Sequence, residues 1–214
     1  MNPYTSHPAT SPASPPQEAL AGLPAPPTHE ESMSTSMSTQ PEQTIGILGI
    51  GNILLNDEGF GVHCVQQLEA AYQTPEQLLI FDGGTAGILL APFIEECDQL
   101  IVIDVVNLDD EPGAVHCFTD REVRAGEIQT RMSPHQIGML EILDICRIRG
   151  KVPEKVEFIT VVPQDLETGM ELSPLLQDRL RTVIGMVRER LSRAGLQLRP
   201  KPEHADSSQG HAAA

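Results

Sequence analysis

The sequence predicts a three-layer α/β fold: a doubly wound, mainly parallel sheet with helices on both faces. Three observations lead there. Strand-like and helix-like segments alternate from about Thr44 to Gly195. The strand-like runs, such as "LIVIDVV" (Leu100 to Val106), are apolar on both faces and rich in β-branched residues, which suits strands covered from both sides. Two of the helical segments open on Ser-Pro, at Ser133-Pro134 and Ser173-Pro174, where a capping hydroxyl precedes a proline at the first helical position.

The elements follow in order. Ile45 to Ile50 is a short apolar run bounded by glycine, the first strand. Asp57 to Tyr72 carries Phe60, Cys64, Val65 and Leu68 at helical spacing. "LLIFD" (Leu78 to Asp82) is the second buried strand, "AGILLAPFIEEC" the second helix, and Leu100 to Val106 the third strand. After the turn signal "DDEPG", Ala114 to Thr119 reads as a short edge strand. Ser133 to about Arg149 is a helix with Gln136 completing a capping box, and Lys155 to Val162 is a further strand. The last helix starts at Ser173, presents Leu176, Leu180, Val183, Val187 and Leu191 as one stripe, and ends at Gly195.

This places one domain over residues 44–199. Residues 1–43 are rich in Pro, Ser and Thr without a helical or strand period and read as a disordered extension; residues 200–214, "PKPEHADSSQGHAAA", read as a disordered tail. With 14 Lys and Arg against 30 Asp and Glu, the net charge of −16 excludes nucleic acid and anionic membrane as expected partners. No apolar run approaches the roughly 18 residues of a membrane span, and the N-terminus lacks the layout of a secretory signal, so a cytoplasmic protein is expected. Cys64, Cys97, Cys117 and Cys146 have no C-x-x-C spacing and read as reduced, buried thiols.

The chemistry concentrates past the strand ends, where open sheets of this kind bind ligands. "GILGIGNILLNDEGFGVH" (Gly46 to His63) begins like a dinucleotide-binding turn, but Leu54 occupies the position of the third small residue, and Asp57 and Glu58 would repel a pyrophosphate at the helix start. Acidic residues there complement the helix dipole, a contribution of about 0.3 to 1 kcal/mol. Two asparagines and several glycines around them suit a cation better. Asp104 is a second anomaly, a carboxylate after three apolar residues in a central strand, costly unless it reaches the strand's exposed end, a cation or donors. Asp82 closes the second strand and leads into Gly83, Gly84 and Thr85, whose backbone N–H groups are open to a ligand or make a tight turn. His135, at a helix start, is expected to be neutral and available as a metal ligand. His63 reads as packing, His116 has no evident acidic partner, and His7, His29, His204 and His211 fall in the tails. In a flavodoxin-type strand order the first and third strands flank the reversal point. Glu58 and Asp104 would then face one crevice, and with His135 would offer an oxygen- and nitrogen-rich site for a divalent metal.

"GIGNILLNDEGFGVH", "DGGTAG", "IVIDVV", "SPHQIG" and "VVPQDLETGMELSP", in this order over Thr44 to Gly195, together resemble the hydrogenase maturation endopeptidases, which trim the large subunits of nickel–iron hydrogenases. The resemblance implies a three-layer α/β fold whose crevice senses nickel already installed in the precursor. Glu58, Asp104 and His135 match the family's nickel-binding positions, and Asp82, Gly83, Gly84 and Thr85 match a cleft motif with a substrate-positioning role. It further implies removal of a C-terminal extension, a large-subunit precursor as partner, and nickel that arrives with the substrate rather than as a resident cofactor. No Ser or Cys stands beside a His as a nucleophile pair, and the H-E-x-x-H of zinc proteases is absent. A metal-polarised carbonyl, or a metal-bound water assisted by a carboxylate, suits the ligands, and the attacking group is left unassigned. Two other readings compete: a non-catalytic nickel-binding chaperone or checkpoint, which would bind precursor without shortening it, and a flavin or nicotinamide redox protein, which would carry bound chromophore.

Overall fold

The computed structural model describes residues 43–125 and 134–202, with the side chains of 134–137 left out; the expectations for the two tails and for the Ser133 cap therefore lie outside the described residues. In chain order the elements are β1 (Ile45–Ile50), α1 (Phe60–Ala71), β2 (Tyr72–Gln73), β3 (Leu78–Gly84), α2 (Ala91–Glu95), β4 (Gln99–Val105), β5 (Val115–Thr119), α3 (Asp120–Arg124), α4 (Pro134–Ile148), β6 (Lys155–Val161), α5 (Pro174–Arg193) and β7 (Arg199–Pro200).

Five strands form one sheet in the order β3-β1-β4-β6-β5. The first four run parallel, and β5 joins β6 antiparallel at the edge. From β1 the chain winds one way to β3 and the other way to β4, so the reversal point lies between β1 and β4, at their carboxyl ends.

Two cores cover the sheet. On one face α1 and α5 pack Phe60, Leu68, Leu176 and Val187 against Ile47, Ile103 and Ile159. On the other, α2 and α4 pack Ile94, Met139 and Leu143 against Leu48, Val102 and Phe158. The predicted stripe of the last helix holds: Leu176, Val183, Val187 and Leu191 are buried and Leu180 partly so. Ser173 caps that helix, its Oγ accepting from Leu176 N at 3.3 Å. The start of α1 touches the sheet because it has no side chain there. A Cβ on Gly61 would lie 2.2 Å from the Ile103 carbonyl oxygen, so any larger residue would force the helix off the ends of β1 and β4.

The sequence reading departs from the structure at several places. The first predicted helix is a 3-10 turn, Asn56–Gly59, followed by α1, with Asn56 left-handed at φ 42°. The second is a 3-10 turn, Gly87–Leu90, with only five α-helical residues after it. α3 was not anticipated; Thr119 and Glu122 cap it reciprocally. Arg199 and Pro200 pair with Gln73 and Tyr72, and Lys201 N–H donates to Ala71, so the paired chain runs past the boundary expected at residue 199. Cys64, Cys97 and Cys146 are buried as expected, but Cys117 is exposed, because β5 is an edge strand flanked by β6 alone. No described helix is long and apolar enough to cross a membrane.

Candidate functional site

The two adjacent acids of the first loop have different environments. Asp57 is fully buried. Its Oδ2 accepts from Gln164 N (2.9 Å), Asp165 N (2.8 Å) and Ser173 Oγ (2.9 Å), and its Oδ1 from Ser173 N (2.7 Å). Asn56 reinforces this clasp, donating from Nδ2 to Asp165 Oδ2 at 2.9 Å and from its backbone to the Gly169 carbonyl. The segment from Gln164 to Ser173, part of the last of the five motifs, is thus tied across the loop after β1. Asp57 has all its charge met by neutral donors, as a buried carboxylate must where no cation is supplied.

Glu58, one residue on, is half-buried, and among the described residues its side chain enters no hydrogen bond or ion pair. Its 3-10 turn packs against β4, the strand that carries Asp104.

Asp104 is the penultimate residue of β4 and is completely buried, so of the three conditions that would lower its cost the exposed strand end does not apply. Its Oδ1 accepts from Val105 N at 2.8 Å. In β4, Leu100 and Val102 face the core under α2 and α4, while Ile101, Ile103 and Val105 face α1 and α5. Strand alternation therefore turns Asp104 toward the α4 face. α4 is the helix whose first turn contains His135; that side chain lies outside the described residues.

Asp82 is exposed at the end of β3 and accepts from Gln66 Nε2 and from Gly84 N, each at 3.1 Å. Between β1 and β3 the register slips: Gly49 faces Asp82 but Ile50 faces Gly84, leaving Gly83 as an extra residue. Such bulges re-aim neighbouring groups. Gly84 is left-handed at φ 44°, which few residues besides glycine adopt easily, and Thr85 follows it exposed in the turn. Gly51 N–H donates to the Gly84 carbonyl, knitting this turn to the end of β1.

The first and third long strands are thus neighbours, as expected, and Glu58, Asp104 and the Asp82–Thr85 turn share the carboxyl end of the sheet. Among the described residues no three His, Cys, Asp or Glu side chains form a metal-holding group. Of the other histidines, His63 is half-buried with its Nε2 shielded and unpartnered. His116 does have an acidic neighbour: its Nε2 lies 3.0 Å from Asp110 Oδ2, an ion-pair distance but out of line for a hydrogen bond. That partner comes from the turn before β5, where spacing gave no sign of it.

Thiol chemistry finds little support. Burial pushes the Cys64 thiol far above its ordinary value, and burial with the neighbouring Glu96 and Asp98 charges pushes Cys97 up to about 12. Both are un-ionised at neutral pH, and the thiolate is the nucleophile. Among the described residues no Ser or Cys side chain hydrogen-bonds to a histidine.

Comparison with known proteins identifies the family of the chain. The profile of the hydrogenase maturation protease family (HycI) matches residues 62–190. The chain is similar to the hydrogenase expression/formation protein HupD of Bradyrhizobium diazoefficiens, 36% identical over 160 residues, covering 74% of this chain and 83% of that one. It is also 35% identical over 156 residues to the hydrogenase 2 maturation protease of Escherichia coli, covering 72% and 94%. Among solved structures, the hydrogenase maturating endopeptidase HybD of Escherichia coli superposes with a TM-score of 0.69 at 35% identity over 75% of this chain and 99% of that one.

Proposed function

From the premise that this chain belongs to the hydrogenase maturation protease family and is a maturation endopeptidase, we propose that its substrate is a nickel–iron hydrogenase large-subunit precursor. The enzyme removes the C-terminal extension of that precursor after nickel insertion. The observation that carries this reading is the pair of carboxylates beside the reversal point. Asp104 is buried in β4, and Glu58, on the turn packed against that strand, meets no cation among the described residues.

In this reading the cation comes with the substrate. Glu58, Asp104 and His135 take the precursor's nickel, and the turn Asp82, Gly83, Gly84 and Thr85 positions the peptide. Hard carboxylate oxygens with one imidazole suit a divalent ion and form a weaker cage than the closed sites of structural zinc. Binding of the metal-bearing precursor then gains free energy that the empty one lacks, and the enzyme selects finished substrate by that difference. A difference of about 3 kcal/mol corresponds to roughly a hundredfold in processing at limiting substrate.

The test is mass spectrometry of nickel-loaded and nickel-free precursor incubated with the enzyme in the presence of chelator. The loaded form should lose its C-terminal segment at least about a hundredfold faster, and Asp104→Asn and His135→Ala should lower that rate while the protein stays folded. Equal rates for the two precursors would overturn the nickel requirement. Precursor that is bound but never shortened would favour the checkpoint alternative.

A further inference from the structure

We infer that the cavity between the end of β1, the Gly84–Thr85 turn and α4 is a subsite for one aliphatic side chain of the peptide substrate. The inference rests on the proposed peptide-cleaving role of the neighbouring turn and adds to it a specificity element.

The cavity measures about 220 Å³. Sites for drug-sized ligands run from about 300 to 1,000 Å³, so this one has the size of a side chain and not of a nucleotide or flavin. Its walls are Ile50, Leu90, Met139 and Ile142, and among the described residues its lining holds no ionisable side chain. A charged residue entering it would lose its water without gaining a partner, whereas a branched aliphatic one would only gain burial.

Its position fits a peptide passing through the crevice. Ile50 pairs with Gly84 at the bulge, so the cavity opens beside the turn that Asp82 begins. Ile50 and Met139 belong to the core under α2 and α4, the side to which Asp104 turns. A peptide held at that turn would therefore set one residue over the cavity.

Gly138 supplies the strongest sign that the space is kept open. It lies inside α4, where glycine weakens a helix relative to alanine. Packing does not demand the glycine either. A Cβ built there meets no atom within 4 Å, unlike one on Gly83, which would lie 2.8 Å from Leu48 Cδ1. Gly185 inside α5 is equally free of packing, so what singles out Gly138 is its place in the cavity wall.

Two substitutions test the subsite. Gly138→Leu should fill it, and Gly138→Ala, a milder change, should melt at or above the wild-type temperature. With nickel-loaded precursor, Gly138→Leu should lower kcat/KM by roughly tenfold to a hundredfold, mostly through KM, since the lost gain is the burial of one aliphatic group. In a parallel arm that needs no cleavage, N-acetyl-leucinamide should shift the amide NMR signals of Gly84, Thr85 and Gly138 saturably. N-acetyl-glycinamide and N-acetyl-lysinamide should not, and Gly138→Leu should abolish the shifts. Unmoved signals in the wild-type protein, or a Gly138→Leu enzyme with wild-type kcat/KM, would overturn the subsite. Leucinamide binding that is lost in Gly138→Leu, in a protein that cuts no precursor, would remove the proposed cleavage and leave the subsite standing.

Discussion

Glu157, near the start of β6, and Glu58, past the end of β1, are both half-buried glutamates, yet among the described residues only the first is neutralised. Glu157 receives Arg190 Nε at 2.6 Å, with Lys155 Nζ 3.4 Å away. At the opposite end of the sheet, Asp57 is met by backbone amides and a hydroxyl, Asp82 by an amide side chain and a backbone N–H, and Glu58 by no described side chain. None of these three carboxylates appears in an ion pair among the described residues. Where charge serves the fold it is cancelled at home. At the carboxyl ends of the strands it is met by neutral dipoles or by no described side chain.

The sharpest way to break this contrast is Asp57→Ala. It leaves the N–H groups of Gln164, Asp165 and Ser173 without their acceptor, and at about 1.5 to 3 kcal/mol for each hydrogen bond to a charged group, partly recovered by water, a loss of roughly 3 to 5 kcal/mol is expected. Both the melting temperature and precursor processing should fall. A variant that melts like the wild type would mean the clasp is decorative.

The contrast is sharpened by exchanging the two glutamates' fates. Glu58→Gln should cut processing by about a hundredfold, near 3 kcal/mol of transition-state stabilisation, with little change in melting temperature. Glu157→Gln should do the reverse, removing about 2 kcal/mol of stability while processing of nickel-loaded precursor persists. Denaturant unfolding and cleavage rates, measured on both variants, decide it; parallel losses in both would erase the distinction.

The smallest effect concerns charge that the core refuses. The raised folded-state values of Cys64 and Cys97 favour the fold in full below about pH 8.5, where the unfolded thiol stays protonated. That contribution fades as pH rises, through about 12 for Cys97. The melting temperature should therefore decline above pH 8.5, less so in Cys97→Ala. At pH 8, a thiol-alkylating reagent on native protein should label exposed Cys117 well before the three buried cysteines.

Much of this architecture could be read from the chain because it is repeated along it. β1 is buried at all six positions, and the stripe of α5 recurs at Leu176, Leu180, Val183, Val187 and Leu191, so many residues vote for the same element. α3 had no such vote: five residues held by one reciprocal cap carry no period. The short β2–β7 pairing likewise depends on two residues after α1 and two after α5. At the site, the residue types and their placement past strand ends singled out Glu58, Asp82 and Asp104. The division of labour between Asp57 and Glu58 was illegible, because it is decided by donors more than 100 positions away, and Gln164 and Asp165 meet the Asp57 carboxylate through backbone N–H whatever their side chains.

That separation also sets when the protein becomes complete during its synthesis. Asp57 finds its partners 107 to 116 positions further along, and chains emerge from the ribosome N-terminal end first. Glu58 and Asp104 are therefore made long before the segment that frames them. A nascent chain that has not yet exposed Ser173 carries the acidic residues without the clasp. Closing so long a loop costs entropy that only the finished set of contacts offsets, so the crevice assembles only after Ser173 has been made.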